Sequence, residues 1–104
     1  PEARIAADHA LGEVLLIDSF GNLLTNIPAA RLPAAALGAD LVVECKGRTI
    51  AGLQSAYDVA TPGTLVAVVD SQGRLEIAAV RGSAASVLGA CEGTAVVARW
   101  PASN

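Results

Sequence analysis

The sequence predicts an all-β domain, a small closed or nearly closed antiparallel β-barrel of about seven strands, Greek-key-like, with one or two short helical turns. Three observations predict it. Short runs rich in Val, Leu and Ile recur along the chain, dense turn signals separate them at regular spacing, and 104 residues suit one domain. Barrel closure would also hide the strand edges of a chain that is 53% hydrophobic.

The first half of the chain begins with two apolar runs joined by a dense turn signal. Gly12–Ile17 is the first predicted strand and Leu23–Ile27 the second, with Asp18–Asn22 as the turn between them. The Ala-rich stretch Pro28–Gly38 suits a short helical turn or connection. Later strands are predicted at Asp40–Lys46, Arg48–Leu53, Thr64–Val69, Leu75–Val80 and Thr94–Trp100.

The connections between the later strands carry their own signals. Lys46-Gly47 marks the turn of the clearest hairpin, Ser55–Gly63 is a polar loop, and Asp70–Gly73 is a second dense turn. Ser83 is placed to cap a short helix that runs to Leu88 and stops at Gly89.

Composition argues against several partners. The net charge is −3 and the seven Lys and Arg residues are scattered, whereas nucleic acids and anionic membranes call for basic patches. No apolar run approaches the roughly 20 residues of a spanning helix, and no secretory leader is evident. A cytoplasmic location with two reduced thiols, Cys45 and Cys91, is therefore expected. The start at Pro1 without Met suggests a piece of something longer.

The residues of a self-sufficient enzyme are missing from the sequence. His9 is the single histidine, in a polar leader before the first predicted strand, and no second His or Cys stands at metal-ligand spacing. There is no phosphate-binding glycine loop and no nucleophile elbow. We therefore expect no metal site, no cofactor and no catalytic residue within this chain.

Several turn residues could instead contact a ligand. Phe20 and Tyr57 lie in loops, where they could stack on a flat base, although both could equally plug the barrel ends. Asp18 could receive an ammonium group, and the Asn22 amide could bind a purine edge. The alternative for Asp18 and Asn22 is a local turn in which both bond their own backbone.

Two later segments have the same ambiguity. Ser71-Gln72-Gly73 offers a hydroxyl, an amide and free backbone N–H groups, which suit a carboxylate, but an ordinary hairpin turn also accounts for it. Arg81-Gly82-Ser83 precedes a predicted helix N-terminus, where backbone donors could meet a ligand, or it is a simple strand-to-helix connection.

Taken together these segments resemble one protein family. Gly12–Ile27 is similar to the segment "G-x-V-x-x-I-D-x-F-G-N-L-x-T-N-I" of the S-adenosylmethionine hydroxide adenosyltransferases, which form adenosine, and of the related fluorinase and chlorinase. Tyr57-Asp58-Val59 resembles the loop of the adenine-stacking aromatic in that family. Ser71–Ala78 and Gly82–Ala85 resemble its "S-x-G-x-L-E-I-A" and "G-S-A-A" stretches.

The resemblance implies that residues 1–104 are the carboxy-terminal, substrate-binding barrel of a two-domain subunit. It implies a preceding α/β domain, a homotrimer, and S-adenosylmethionine bound between the α/β domain of one subunit and the barrel of its neighbour. By position, Asp18 would hold the methionine ammonium, and Ser71 with Gln72 the carboxylate end. Asn22 would hydrogen-bond the adenine, Tyr57 would stack on it, the backbone around Arg81 and Gly82 would meet its edge, and Phe20 would shape the same pocket wall.

The resemblance also implies a branch and a reaction. The halogenases have one more residue between the aspartate and the phenylalanine, a Trp where Leu24 stands, and an Arg where Gln72 stands. These differences favour a hydrolase that displaces methionine from C5′ with water or hydroxide. The alternatives are a non-catalytic adenosyl-ligand-binding or trimerisation module and, disfavoured by the acidic balance, an oligonucleotide-binding barrel.

Overall fold

A computed structural model describes residues 2–54 and 61–102 and confirms the predicted fold class. Seven antiparallel strands form a nearly closed barrel, and a two-residue strand, β1, adds to β2. The strands are β1 (Arg4–Ile5), β2 (His9–Ile17), β3 (Leu23–Pro28), β4 (Val42–Cys45), β5 (Arg48–Ala51), β6 (Leu65–Val69), β7 (Arg74–Ala79) and β8 (Ala95–Arg99). Ala29–Arg31 and Ala34–Ala36 form 3-10 turns, and one helix, α1, spans Ala84–Leu88.

The sheet order explains how the barrel closes. The strands follow the order β5-β4-β8-β2-β3-β7-β6, and every pair along that path is antiparallel. An isolated parallel bridge between Leu53 and Ala67 joins the two ends of this path, where the Gln54 N–H donates to the Ala67 carbonyl at 2.8 Å. This contact covers the edge that β6 would otherwise expose.

The first predicted strand was too short at its start. The structure begins β2 at His9 and not at Gly12, so His9 is part of the strand and not of a leader. The added residues pair with β8, from His9 opposite Arg99 to Leu11 opposite Val97. Gly12 and Glu13 hid this extension, because they separate the apolar residues Ala10 and Leu11 from the apolar run that begins at Val14.

The inner faces of the strands form the core, and one of its residues is polar. Leu23, Ile27, Leu75 and Ile77 are almost completely buried within it. Thr25 is also fully buried, and its hydroxyl donates to the Leu75 carbonyl at 2.6 Å, which removes the cost of burying it. The core therefore holds β3 tightly against β7.

A bulge in β2 depends on a glycine. The pairing of β2 with β3 shifts between Val14 and Leu16, and the Asn26 side chain crosses over to accept a hydrogen bond from the Glu13 N–H at 2.8 Å. A Cβ on Gly12 would lie 2.4 Å from the Asn26 Oδ1, so only glycine leaves room for this arrangement. Gly12 and Asn26 thus have a structural role in the barrel.

Two surface findings complete the description. Cys45 is buried, Cys91 is exposed, and both thiols are free. Within the part of the chain that the structure describes, no helix has the length and apolar character needed to cross a membrane.

Candidate functional site

Asp18 organises the turn between β2 and β3. Its Oδ1 accepts hydrogen bonds from the backbone N–H groups of Phe20 and Asn22, both at 2.9 Å. Its Oδ2 accepts a third from the Asn22 side-chain amide, also at 2.9 Å. This is the local-turn alternative that the sequence left open, so Asp18 and Asn22 have a structural role in the absence of any ligand. We call residues 18–22 the first Asp turn.

These bonds keep Asp18 charged. Partial burial alone would raise the pKa of Asp18, but the hydrogen bonds from Asn22 and Phe20 outweigh it, and the pKa lies below its ordinary value. A carboxylate oxygen can accept two hydrogen bonds, and Oδ2 accepts only the one from Asn22 among the described residues. The site therefore contains an ionised carboxylate with remaining capacity for a cationic donor.

The first Asp turn packs directly on the start of α1. The Ala85 N–H donates to the Gly21 carbonyl at 2.9 Å, and a Cβ added to Gly21 would lie 2.0 Å from the Ser83 Oγ. Ser83 caps α1, since its hydroxyl accepts from the Ser86 N–H at 3.1 Å. The turn and the helix cap are thus held together as one unit.

An open pocket of about 550 Å³ lies beside this unit, and we call it the Phe20 pocket. Four of the residues predicted for the site line it, together with Ser83, which was predicted as the helix cap in the Arg81-Gly82-Ser83 segment, and Ala79, which sequence reasoning missed. The lining residues are Phe20, Asn22, Ala79, Arg81, Gly82 and Ser83. The Asn22 amide donates to Asp18, which leaves its carbonyl oxygen as the group able to accept from a ligand.

Phe20 is the most exposed large apolar side chain among the described residues, at 77%. The alternative that it plugs the end of the barrel is therefore wrong. An exposed ring beside a pocket is available to stack on a flat ligand. Tyr57, the other aromatic predicted for the site, lies outside the described residues, as does most of the polar loop that contains it.

The Arg81-Gly82 segment forms a strained turn at the pocket. Arg81 has a φ of 50°, in the left-handed region that non-glycine residues seldom adopt, and the Gly82 N–H donates to the Ala79 carbonyl at 3.2 Å. Backbone strain of this kind costs about 1–3 kcal/mol and is common at ligand-binding sites. The Gly82 N–H is occupied within the turn, so it is not a free donor for a ligand.

The Ser71-Gln72 segment belongs to a second turn with the same hydrogen-bond pattern, which we call the second Asp turn (residues 70–74). Asp70 Oδ1 accepts from the Gln72 and Arg74 N–H groups at 2.8 and 3.0 Å. The Gly73 N–H donates to the Asp70 carbonyl at 3.0 Å. The expectation of free backbone donors is therefore wrong for Gln72 and Gly73, while the side chains of Ser71 and Gln72 are exposed.

The two Asp turns lie at opposite ends of the paired strands β3 and β7. Leu23, next to the first turn, pairs with Ile77, whereas Pro28 pairs with Arg74 of the second. Three residues of β7 separate these levels, which is about 10 Å. Ser71 and Gln72 consequently do not line the Phe20 pocket, and one ligand could contact both turns only in an extended conformation.

Glu76 lies between the two turns and was not predicted for the site. It pairs with Leu24 on one side and Val68 on the other, and Leu24 pairs in turn with Leu16, which is 51% exposed. Burial raises the pKa of Glu76, and the negative charges of Asp70 and Asp18 raise it further. The negative charges of both Asp turns therefore disfavour ionisation of the same side chain, Glu76, on the outer face of the sheet.

The second Asp turn also contains an unsatisfied group. Asp70 Oδ2 is buried and has no hydrogen-bond partner among the described residues. The sequence gives no sign of this, because an Asp at the start of a hairpin turn ordinarily exposes its second oxygen. Within residues 2–54 and 61–102, no three or more His, Cys, Asp or Glu side chains are arranged to hold a metal ion.

The fold and the site define a small antiparallel barrel domain that carries a pocket built from connecting loops. Comparison with known families is specific: residues 12–97 match the model of the SAM hydroxide adenosyltransferase C-terminal domain. The match covers most of the chain, and the chain belongs to this family. No curated protein matches it.

Two solved structures share the fold. An uncharacterized conserved protein from Thermotoga maritima is 29% identical, with a TM-score of 0.80 over 95% of this chain. A conserved hypothetical protein from Thermus thermophilus is 36% identical, with a TM-score of 0.67 over 88% of this chain. The chain spans only 39% and 32% of the lengths of those two proteins.

Proposed function

We propose that this domain is the substrate-binding barrel of an adenosine-forming S-adenosylmethionine hydrolase. In this proposal it follows a larger α/β domain and binds the substrate together with the α/β domain of a neighbouring subunit in a homotrimer. The barrel positions the substrate and is inactive alone. The observation that carries the proposal is the Phe20 pocket, where the exposed ring, the Asn22 amide and the ionised Asp18 adjoin one another.

The ligand has chemistry that suits each of these groups. A stacked adenine would lie on Phe20 and donate its amino group to the Asn22 carbonyl oxygen. Asp18 would pair with the methionine ammonium, and Ser71 with Gln72 would contact the carboxylate through side chains and not through the occupied backbone N–H groups. The distance of about 10 Å between the turns is compatible with an extended adenosyl amino acid.

The proposed reaction depends mainly on how the substrate is positioned. The oxygen of water forms a bond to C5′, the C5′–S bond breaks with its electron pair remaining on sulfur, and the water loses a proton. The sulfonium is a good leaving group, so holding both ends of the substrate in line with the nucleophile supplies much of the acceleration. Activation of the water is assigned to the other domain.

The direct test is to incubate the full-length protein with S-adenosylmethionine, with and without halide, and to identify the products. Adenosine and methionine, unchanged in amount by halide, are expected. A halogenated adenosine would move the protein to the halogenase branch. Binding of S-adenosylmethionine without turnover would favour the non-catalytic binding module.

Asp18→Asn tests the site itself. Asparagine keeps an oxygen that accepts from the backbone N–H groups of Phe20 and Asn22, and it removes the charge together with the oxygen that accepts from the Asn22 side-chain amide. Affinity for S-adenosylmethionine should fall about tenfold or more while affinity for adenosine changes little, because only the former carries an ammonium. Measuring both ligands on one variant cancels any loss of folded protein, and equal losses would remove Asp18 from its assigned role.

A further inference from the structure

A second pocket, distinct from the Phe20 pocket, is lined by two arginines. It has a volume of about 250 Å³ and lies where β3 ends, beside the second Asp turn. Arg31 and Arg74 are its basic residues, and we call it the arginine pocket. It is lined by Glu2, Ala3, Leu15, Asn26, Pro28, Arg31 and Arg74.

The backbone brings the two arginines together from separate elements. Pro28 pairs with Arg74 across the β3–β7 ladder, and the Ala29 N–H donates to the Gly73 carbonyl at 2.8 Å. Arg31 follows in the 3-10 turn Ala29–Arg31, which is anchored by the buried side chain of Leu32. The β3–β7 pairing and the 3-10 turn that follows β3 therefore place both arginines at the same pocket.

Neither guanidinium has an acidic partner among the described residues. The ion pairs there are His9–Asp8 and Arg99–Glu44, and Glu2, although it lines the pocket, has no carboxylate oxygen within 4.0 Å of either arginine. The chain has ten acidic residues against seven basic ones. Two arginines without an acidic partner among the described residues thus line one small pocket of a chain that is acidic as a whole.

We propose that the arginine pocket binds a small phosphate-like oxyanion, with Arg31 and Arg74 as its ligands. Guanidinium groups present paired N–H donors that match the oxygens of phosphate and form charge-assisted hydrogen bonds. The volume is sufficient for inorganic phosphate or one phosphoryl group of a small molecule.

Calorimetric titration of the full-length protein with sodium phosphate tests the proposal, with sodium chloride at matched ionic strength as the reference. Saturable phosphate binding is expected, together with an increase in the thermal unfolding midpoint that chloride does not produce. Glycerol phosphate, titrated in the same way, distinguishes the two sources: tighter binding than phosphate indicates a phosphoryl group of a small molecule, and weaker binding indicates the free ion.

Arg31→Gln and Arg74→Gln should each weaken phosphate binding by about tenfold, the loss of one charge-assisted contact. Arg48→Gln is the matched control, because Arg48 is an exposed arginine on the hairpin of β4 and β5 and does not line this pocket. Equal binding by all three variants, or equal responses to phosphate and chloride, would overturn the proposal. Displacement of phosphate by methionine would overturn it too, since the pocket would then belong to the amino-acid end of the proposed substrate site.

Discussion

The two Asp turns have the same backbone and different surroundings. Both have the sequence Asp-Ser-x-Gly, an Asp Oδ1 that accepts from the second and fourth following N–H groups, and a glycine in the left-handed region. The φ values are 85° for Gly21 and 78° for Gly73. The barrel thus uses one turn design at both ends of the β3–β7 pair.

What differs is what each turn contacts. Gly21 packs against Ser83 and the second Asp18 oxygen is satisfied by Asn22, whereas a Cβ on Gly73 would meet nothing within 4 Å and Asp70 Oδ2 is buried without a partner among the described residues. The first turn is therefore packed against the start of α1 beside the Phe20 pocket, while the second has open space around its glycine Cα and is held by the Ala29 N–H at the Gly73 carbonyl. Two turns with the same Asp-Ser-x-Gly pattern can consequently have different roles, because their surroundings differ.

The largest expected difference is between Gly21→Ala and Gly73→Ala. Both put a Cβ at positive φ, at about 1–2 kcal/mol. Gly21→Ala also forces the new carbon to within 3 Å of the Ser83 side chain and backbone, which adds roughly 1–3 kcal/mol of overpacking. Urea unfolding should show a clearly larger loss for Gly21→Ala. Equal losses would mean that the contact with Ser83 does not constrain the turn.

A smaller difference is expected between Asp18→Ala and Asp70→Ala. Asp18 accepts three hydrogen bonds from side chain and backbone nitrogens, so its removal should cost about 2–3 kcal/mol of unfolding free energy. Asp70→Ala also removes an unsatisfied buried oxygen, so its cost should be about 1 kcal/mol or less. The same urea experiment measures both. A larger cost for Asp70→Ala would indicate a partner for its second oxygen.

The comparison also shows what the sequence could predict. Alternating apolar runs and turn residues predicted the barrel, because both are local properties of a strand and its ends. The spacing of Asp18, Phe20 and Asn22 predicted a turn, and the structure places two of these residues on the pocket. Strand β1 and the start of β2 at His9 were missed, because their pairing partners lie elsewhere in the chain.

The site was less predictable for the same reason. Glu76 was found only because strand pairing places it between the two turns, and Ala79 only because it lines the Phe20 pocket. Ser83 was predicted as a helix cap, and the structure adds its contact with Gly21. The Gly12–Ile27 segment also contains residues with two different roles. Gly12, Thr25 and Asn26 support the bulge and the core, while Phe20 and Asn22 line the Phe20 pocket and Asp18 holds their turn in place.

Glu76 gives an effect of pH that is opposite in sign to that of Asp18. The folded pKa of Glu76 lies above its ordinary value of 4.5, so the fold loses stability as pH rises from 4.5 through the raised pKa. The folded pKa of Asp18 lies below 3.8, so its contribution is present above that value and is lost as pH falls through the lowered pKa.

Glu76→Gln should therefore increase the unfolding free energy at neutral pH by roughly 0.5 kcal/mol, the scale of a half-exposed substitution. The gain should disappear below pH 4.5, where the native carboxyl is already protonated. Unfolding midpoints in urea measured from about pH 3.5 to about pH 7.5 test this. A constant difference at all pH values would show that packing against Leu24 and Val68, and not charge, determines the effect.

The smallest effect on stability is expected for substitutions at the third residue of each turn. Because stability changes little there, these variants report on ligand binding separately from folding. Phe20 is 77% exposed and Gln72 is exposed, so Phe20→Ala and Gln72→Ala should each change the unfolding free energy by under about 0.5 kcal/mol. If the Phe20 ring stacks on adenine, Phe20→Ala should nevertheless weaken adenosine binding by about 1–3 kcal/mol. Gln72→Ala should leave adenosine binding unchanged, because Gln72 does not line the Phe20 pocket. Unchanged adenosine affinity in Phe20→Ala would show that the exposed ring contacts something other than the ligand.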